Sequence, residues 1–265
     1  MAEKELMNLP KNTISSIKQF ETKQSANSLF RFVEKFDYLL DILKNKALIP
    51  RYCCEDVKPY NINQSYLYYP MVCFCDIPFH RVYEHINLYG KDGYGIAFSK
   101  IWGIENKIQP LQYINPNSLL CSDFREAFLA SLKSETSDLA QNFLLSQLFY
   151  YKPIYGEMER NGKIVTKTFT DECEWRYIPQ TNPDILPQVI PESQSHLKEH
   201  YNEAIKDKKE YWLHYEWDDI KYIIIKTRAE ISDVYAILDN LIEDKIQLIK
   251  IISRIVVWED MRGDF

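Results

Sequence analysis

One arginine stands in an apolar segment near the start of the chain. Arg31 is the middle residue of Leu-Phe-Arg-Phe-Val at positions 29–33, a run that predicts a strand buried on both faces. A guanidinium that is buried without a counter-charge is very costly. We therefore expect Arg31 to meet either a carboxylate or an anionic ligand.

Two glutamates and a second arginine alternate later in the chain, in Asp-Glu-Cys-Glu-Trp-Arg at positions 171–176. On a strand, Glu172, Glu174 and Arg176 would share one face. Two carboxylates this close repel each other, and burial could raise the pKa of one into a catalytically useful range. The same residues could instead form a solvated face with local ion pairs, or a structural bridge from a glutamate to Arg31.

A pair of histidines has the spacing of a known zinc motif. His196 and His200 lie in His-Leu-Lys-Glu-His, the H-x-x-E-H order of one metalloprotease class. Metalloprotease pairs normally sit on a helix with an apolar back, whereas this segment is strongly polar. A solvated helix is therefore the favoured interpretation.

Six cysteines occur, and the first residues of the chain contain no apolar segment of the kind that directs secretion. We therefore expect a cytoplasmic protein with reduced thiols. The closest pairs are Cys53 with Cys54 and Cys73 with Cys75. Neither pair has the spacing of two to four residues with which zinc ligands usually reach one ion, so we predict no metal site.

An irregular mixture of strands and helices must position these residues. Helices are predicted at 34–46, 79–89, 122–152, 193–210 and 229–241, and strands at 29–33, 71–75, 94–99, 163–169, 173–178, 221–227 and 251–258. Because the order is not a strict βαβ alternation, the sequence predicts one α+β domain over 28–265, with a mixed, mostly antiparallel sheet flanked by helices. Residues 1–27 are predicted to form an arm or helix, and 179–191 a proline-rich surface connection.

Composition limits the classes of partner. The chain has 265 residues, 46% of them hydrophobic, and a formal net charge of −6. These values are typical of globular proteins and exclude collagen-like and disordered chains. An acidic balance argues against sequence-independent binding of nucleic acid. No apolar run approaches the roughly 20 residues that cross a bilayer, so we expect neither nucleic acid nor a membrane as the partner.

Several ordered segments resemble the AbiGi family of bacterial abortive-infection proteins; they are residues 29–33, 48–53, 71–78, 94–103 and 171–179. The resemblance covers about residues 28–260. It implies a role in phage defence within a toxin–antitoxin type system, in which this member is regarded as the antitoxin-like component. It also implies a protein partner, either a cognate toxin or a phage component, and leaves self-association as a further option.

A more distant similarity is to ADP-ribosyltransferase-like domains, in which a first-strand arginine or histidine holds NAD and a late Glu-x-Glu strand supplies the catalytic glutamate. The matching positions are Arg31, Ser99, Glu172 and Glu174. This resemblance implies that Arg31 and Ser99 bind NAD as substrate. It also implies that Glu174 stabilises the oxocarbenium-like ribose while Glu172 orients the acceptor.

Two functions therefore stay open at the level of sequence. The first is an NAD-consuming ADP-ribosyltransferase or NAD glycohydrolase that uses Arg31 and Glu174. The second is a non-enzymatic antitoxin or sensor module that binds and neutralises a partner toxin. Charged side chains that converge on an open cleft would favour the enzyme, and charged side chains paired in a dry core would favour the binding module.

Overall fold

The computed structural model of the protein describes residues 26–86, 93–133, 138–160 and 163–262. The predicted N-terminal arm therefore lies outside the described residues, except for its last two positions. Within the described ranges, no helix combines the length and the apolar character that crossing a membrane requires.

The strands alternate irregularly with helices along the chain. They are β1 (Ser28–Val33), β2 (Ala47–Leu48), β3 (Arg51–Asp56), β4 (Tyr66–Cys75), β5 (Tyr94–Ser99), β6 (Gln109–Pro110), β7 (Gln112–Ile114), β8 (Tyr151–Pro153), β9 (Tyr155–Arg160), β10 (Lys163–Thr168), β11 (Glu174–Tyr177), β12 (Ile190–Pro191), β13 (Leu213–His214), β14 (Ile220–Ile225) and β15 (Ile255–Val257).

The α-helices are short, and the two longest follow one another in the middle of the chain. They are α1 (Phe36–Asn45), α2 (Val82–His85), α3 (Lys100–Glu105), α4 (Leu119–Ser131), α5 (Asp138–Tyr150), α6 (Lys198–Ala204), α7 (Ile231–Leu241), α8 (Lys245–Ile252) and α9 (Trp258–Met261).

A nine-stranded sheet organises the described part of the chain. Its order is β15-β14-β5-β1-β4-β11-β6, and β3 and β12 also pair with β4. The strand pairs in this sheet are antiparallel except for β14 with β15, which run parallel. The predicted α+β class with a mixed, mostly antiparallel sheet is confirmed.

Strand β1 is buried on both faces, as the sequence predicts. Leu29 and Val33 belong to the largest apolar cluster, together with Leu43 of α1 and Val234 of α7. Phe30 points the other way and belongs to a separate cluster. Leu29 is 0% exposed and Phe30 is 1% exposed. Burying a side chain of this size contributes about 1.5–3 kcal/mol, so β1 is fixed firmly at the centre of the fold.

Strands β1 and β4 separate almost as soon as they meet. In the described residues they pair at one position, Phe30 opposite Cys75, whereas β1 pairs with β5 over its whole length. Farther along, β4 pairs with β3, beginning with Arg51 opposite Met71. The separation of β1 from β4 leaves room beside Arg31 for the cavity described below.

The C-terminal region corrects the predicted strand at 251–258. The structure has a helix, α8, that ends at Ile252, and β15 contains only three residues. The Asp244 carboxylate accepts a hydrogen bond from the backbone N–H of Ile246 at 2.9 Å, which caps the start of α8. The buried residues Leu248 and Ile251 are three apart, a helical spacing that the continuous apolar run conceals.

The proline-rich segment 179–191 carries no helix, and its only strand is β12 at its end. It is not wholly at the surface, because Leu186 and Ile190 are both 0% exposed. Leu186 packs in a small apolar cluster with Ile205 and Tyr211. These two buried side chains hold the connection against the body of the protein.

Candidate functional site

Strand β11 presents two charged side chains to the interior. It follows a 3₁₀ turn (Phe169–Glu172) and Cys173, whose backbone has a positive φ of 44°. Glu174 and Arg176 then share one face and are 6% and 0% exposed. Alternation along a strand explains their common orientation. Glu172 lies in the turn and not in the predicted strand, yet it reaches the same group of charges.

The Arg176 guanidinium is enclosed, and each of its nitrogens has an acceptor. Nε donates to Glu174 Oε1 at 2.7 Å, and Nη2 lies 2.9 Å from Glu55 Oε2. Nη1 donates to the Tyr69 hydroxyl at 2.8 Å and to the Phe149 carbonyl at 2.9 Å. Such complete pairing is what a buried guanidinium requires, so Arg176 is held as a structural cation.

Two lysines complete the group. Lys152 Nζ lies 2.7 Å from Glu174 Oε2 and 2.9 Å from Glu172 Oε2. Lys167 Nζ lies 2.6 Å from Glu172 Oε1. We call this set the ion cluster; it consists of Glu55, Glu172, Glu174, Lys152, Lys167 and Arg176. Among the described side chains, three carboxylates of this cluster therefore face three cations.

The ion cluster keeps its central carboxylate ionised. Burial by itself would raise the pKa of Glu174, but Arg176 and Lys152 outweigh that effect and hold the pKa well below its usual range. Burial would likewise lower the pKa of Lys152, but Glu174 and Glu55 raise it well above the usual value. Glu174 is therefore an anion and Lys152 a cation at neutral pH.

Both carboxylate oxygens of Glu174 are occupied by protein donors. Oε1 accepts from Arg176, and Oε2 accepts from Lys152 at 2.7 Å. The backbone N–H of Glu174 donates to the Tyr113 hydroxyl at 2.8 Å. The catalytic role that the sequence suggests for Glu174 would require these contacts to be exchanged for contacts with a substrate.

Arg31 does not join the ion cluster. Its guanidinium is half-buried, and Nη1 donates to the Cys73 carbonyl at 3.4 Å. No carboxylate in the described ranges forms an ion pair with it. Because Phe30 pairs with Cys75 and Cys75 pairs with Glu174, strand alternation directs Arg31 to the opposite face of the sheet from Glu174.

Ser99 caps a helix. It precedes α3, and its hydroxyl accepts a hydrogen bond from the backbone N–H of Trp102 at 3.1 Å. This is the usual contact of an N-cap serine. The four residues matched to the ADP-ribosyltransferase pattern are thus divided: the two glutamates share one cluster, while Arg31 and Ser99 lie elsewhere.

A cavity of about 340 Å³ lies beside Arg31. Its wall combines apolar side chains of β1, β4 and α1 with polar and charged side chains of α6 and the start of β3. The cavity therefore has the mixed lining that is typical of a small-molecule site. Arg31 and Arg51 supply two of its positive charges.

The two zinc motifs weighed in the sequence do not assemble into a metal site in the described residues, where no group of three or more His, Cys, Asp or Glu side chains could hold an ion. His200 is exposed on α6, the polar helix that the sequence favours. The cysteines are free thiols, and burial raises the pKa of Cys73 well above its ordinary value. A buried neutral thiol is unreactive.

Comparison of the sequence with known proteins finds similarity to abortive phage resistance proteins. A family model described as "Putative abortive phage resistance protein AbiGi, antitoxin" matches residues 46–226. The chain is also 32% identical, over 251 residues, to "Abortive phage resistance protein AbiGi" of Lactococcus lactis subsp. cremoris, an alignment that covers 83% of this chain and 100% of that protein.

The chain belongs to the AbiGi family. The resemblance inferred from the sequence segments is confirmed, and with it a place in abortive-infection phage resistance. No solved structure matches the chain, so the similarity to ADP-ribosyltransferase-like domains receives no support from a known fold.

Some of the charged residues lie inside the range that the AbiGi model matches, and Arg31 lies outside it. The matched range, 46–226, contains every member of the ion cluster, whereas Arg31 precedes it. The α4–α5 helix pair lies inside this range, and the α7–α8 pair lies beyond it. All residues of the ion cluster therefore lie within the stretch that the AbiGi model matches.

Sequence reasoning missed Lys152, Lys167 and Glu55 as members of the cluster. Lys152 falls at the end of a long helical pattern, and Glu55 lies about 120 positions before Arg176, so neither spacing nor periodicity links them. One signal was available: the dipeptide Tyr-Lys between apolar residues at 148–154 places a charge in a segment that is otherwise apolar. Lys152, like Arg31, is a charged residue within a largely apolar segment.

Proposed function

We propose that this protein is the antitoxin-type component of an abortive-infection system and acts by binding a protein toxin, without chemistry of its own. The occupied state of Glu174 carries the proposal, because both oxygens of this carboxylate are paired with Arg176 and Lys152 in the interior. A buried carboxylate whose partners all come from the protein is held in place by the fold, because releasing it would leave those partners buried and unpaired. The family description, which names an antitoxin, supports the same conclusion.

A surface suited to such a partner occurs on helix α5. Leu139 and Phe143 are 80% and 61% exposed, and their i, i+4 spacing puts them on one face of the helix. Large exposed apolar side chains grouped in this way are typical of protein interfaces. This pair lies within the region matched by the AbiGi model, and we propose it as part of the toxin-binding surface.

Helix α8 offers a matched control surface. Ile246 and Ile249 are 67% and 66% exposed, also on one helix, but they lie outside the region that the AbiGi model matches. Replacing either exposed pair with serine should change the free energy of unfolding by less than about 1 kcal/mol. Any difference between the two double variants then reports on binding.

Co-expression with a candidate toxin, the product of a gene that neighbours the gene for this protein, tests the proposal. The wild type should restore growth of cells that express the toxin. The double variant Leu139→Ser with Phe143→Ser should lose this protection, and the double variant Ile246→Ser with Ile249→Ser should keep it. Failure of the wild type to relieve toxicity would refute the antitoxin role, and equal protection by both double variants would refute the α5 surface alone.

The NAD hypothesis stays a prediction with a separate test. Purified protein incubated with NAD would be assayed for release of nicotinamide, and the rate compared between wild type and Glu174→Gln. The binding-module proposal predicts no release above the buffer rate. A release rate that depends on the Glu174 carboxylate, in a variant shown to be folded, would instead establish the enzyme.

A further inference from the structure

The cavity beside Arg31 is lined by two arginines, Arg31 and Arg51, that form no ion pair among the described residues. Arg31 is half-buried on β1, and among the described residues it donates one long hydrogen bond, 3.4 Å to the Cys73 carbonyl. Arg51, at the start of β3, lines the same cavity and is exposed. In the part of the chain that the structure describes, neither guanidinium forms an ion pair with a carboxylate.

Two acidic residues, Asp41 and Glu203, line the cavity, and each lies close to a lysine. Glu203 receives two hydrogen bonds from Lys206, at 2.7 and 2.8 Å. Asp41 lies 3.9 Å from Lys44, and Glu199, which faces Arg51 from α6, lies 3.3 Å from Lys198.

In the described ranges, Arg31 and Arg51 are thus the two cations of the cavity that have no carboxylate within ion-pair distance, whereas Lys206 has Glu203. A bound dianion would balance both.

The rest of the wall suits an organic group. Val33, Ile42, Leu48 and Val72 supply apolar surface. The volume of about 340 Å³ lies at the small end of the range for ligand pockets, roughly 300–1,000 Å³. A ligand that fits would therefore carry its charge at one end and a compact, uncharged body at the other.

We propose that this cavity binds a small phosphate monoester. A phosphate monoester carries close to two negative charges at neutral pH, which matches the charge of these two guanidinium groups. The planar guanidinium of Arg31 can donate two parallel hydrogen bonds to phosphate oxygens, while Arg51 contributes charge at the mouth. The proposal is independent of toxin binding, because it uses no residue of α5.

Isothermal titration calorimetry with three probes tests the site: AMP as a phosphate monoester, adenosine as its uncharged counterpart, and inorganic phosphate. The wild type should bind AMP and not adenosine. Inorganic phosphate should bind more weakly than AMP if the organic body also contributes, and as tightly if the phosphate group alone is recognised. No binding of either AMP or inorganic phosphate would overturn the proposal.

Two substitutions locate the binding site. Arg31→Met should weaken AMP binding about 10- to 100-fold, the usual effect of losing hydrogen bonds to a charged group. Arg125→Met is the matched control, because Arg125 lies on α4 away from the cavity and pairs loosely with Glu126 at 3.8 Å; its affinity should equal that of the wild type. Equal affinity in Arg31→Met and the wild type would refute the site.

A third substitution tests the site independently, in case the Arg31→Met protein does not fold. Arg51 is exposed, so Arg51→Met should fold, and its AMP affinity should fall about 3- to 10-fold because one of two charges is lost. AMP should also raise the melting temperature of the wild type more than that of the Arg31→Met protein at the same concentration, since stabilisation by a ligand decreases as its affinity for the native state falls. An unchanged affinity in Arg51→Met would contradict the two-cation site.

Discussion

Glu174 and Arg176, two residues apart on one strand, are joined inside the protein by a hydrogen bond of 2.7 Å from Arg176 Nε to Glu174 Oε1. Arg176 is 0% exposed, so this pair is withdrawn from water. Lys152 occupies the other oxygen of Glu174. The Glu-x-Glu-x-Arg pattern, which could mark a catalytic strand, therefore forms the centre of a structural ion cluster.

The first prediction concerns the stability that Glu174 supplies. Glu174→Gln should lower the free energy of unfolding by about 3–5 kcal/mol, because it leaves Arg176 and Lys152 buried with too little negative charge. Urea unfolding followed by circular dichroism would measure the change. Glu126→Gln, at an exposed glutamate on α4, is the control and should change it by less than about 0.5 kcal/mol. Equal effects would show that the cluster is not structural.

The second prediction concerns pH. The pKa of Glu174 is lowered in the folded protein by Arg176 and Lys152, whereas in the unfolded chain it is about 4.3. Its contribution to stability is therefore fully present above about pH 5 and is lost as the pH falls toward the folded value.

The urea midpoint of the wild type should decrease steadily below pH 5, and that of Glu174→Gln should decrease less. Parallel pH curves for the two proteins would mean that Glu174 titrates alike in the folded and unfolded states, which would contradict the paired geometry.

The third prediction concerns two positions with positive φ. Gly93 has a φ of 92°, and an added Cβ would lie 2.6 Å from the Trp258 ring. Gly93→Ala should lower the melting temperature because it combines backbone strain with a clash in the core.

Lys107, exposed just after α3, has a φ of 60°. Lys107→Gly should raise the melting temperature by an amount equivalent to about 1 kcal/mol or less. Thermal melts of the two variants beside the wild type would check both signs, and a stabilised Gly93→Ala would contradict the positive φ at that position.

The fold could be predicted where local patterns decide it. The largely apolar character of residues 29–33 and 94–99 predicts β1 and β5 closely, because a strand buried on both faces gives an apolar run with few interruptions. The helix α8 was missed since a short run of isoleucine and leucine fits a strand or a buried helix equally well. Its cap at Asp244 was the local signal that distinguished the two.

The candidate site could be predicted only in part, since its contacts are long-range. The sequence shows that a guanidinium among apolar residues needs an anion, but it cannot show which anion. Arg176 forms the ion pairs with glutamates. Arg31, which stands out more clearly in the sequence, lines a cavity. Pairing over about 120 positions, as between Glu55 and Arg176, depends on how β3, β4 and β11 assemble, and one sequence carries no periodic signal for that.

The measurement that tests the antitoxin proposal most directly is a titration of the purified toxin with this protein in buffer that contains no NAD. A saturable complex should form, and toxin activity should be lost once the antitoxin reaches the stoichiometry of that complex. The Leu139→Ser, Phe143→Ser variant should bind at least about 10-fold more weakly. A toxin that stays fully active in the presence of excess folded protein would contradict the account.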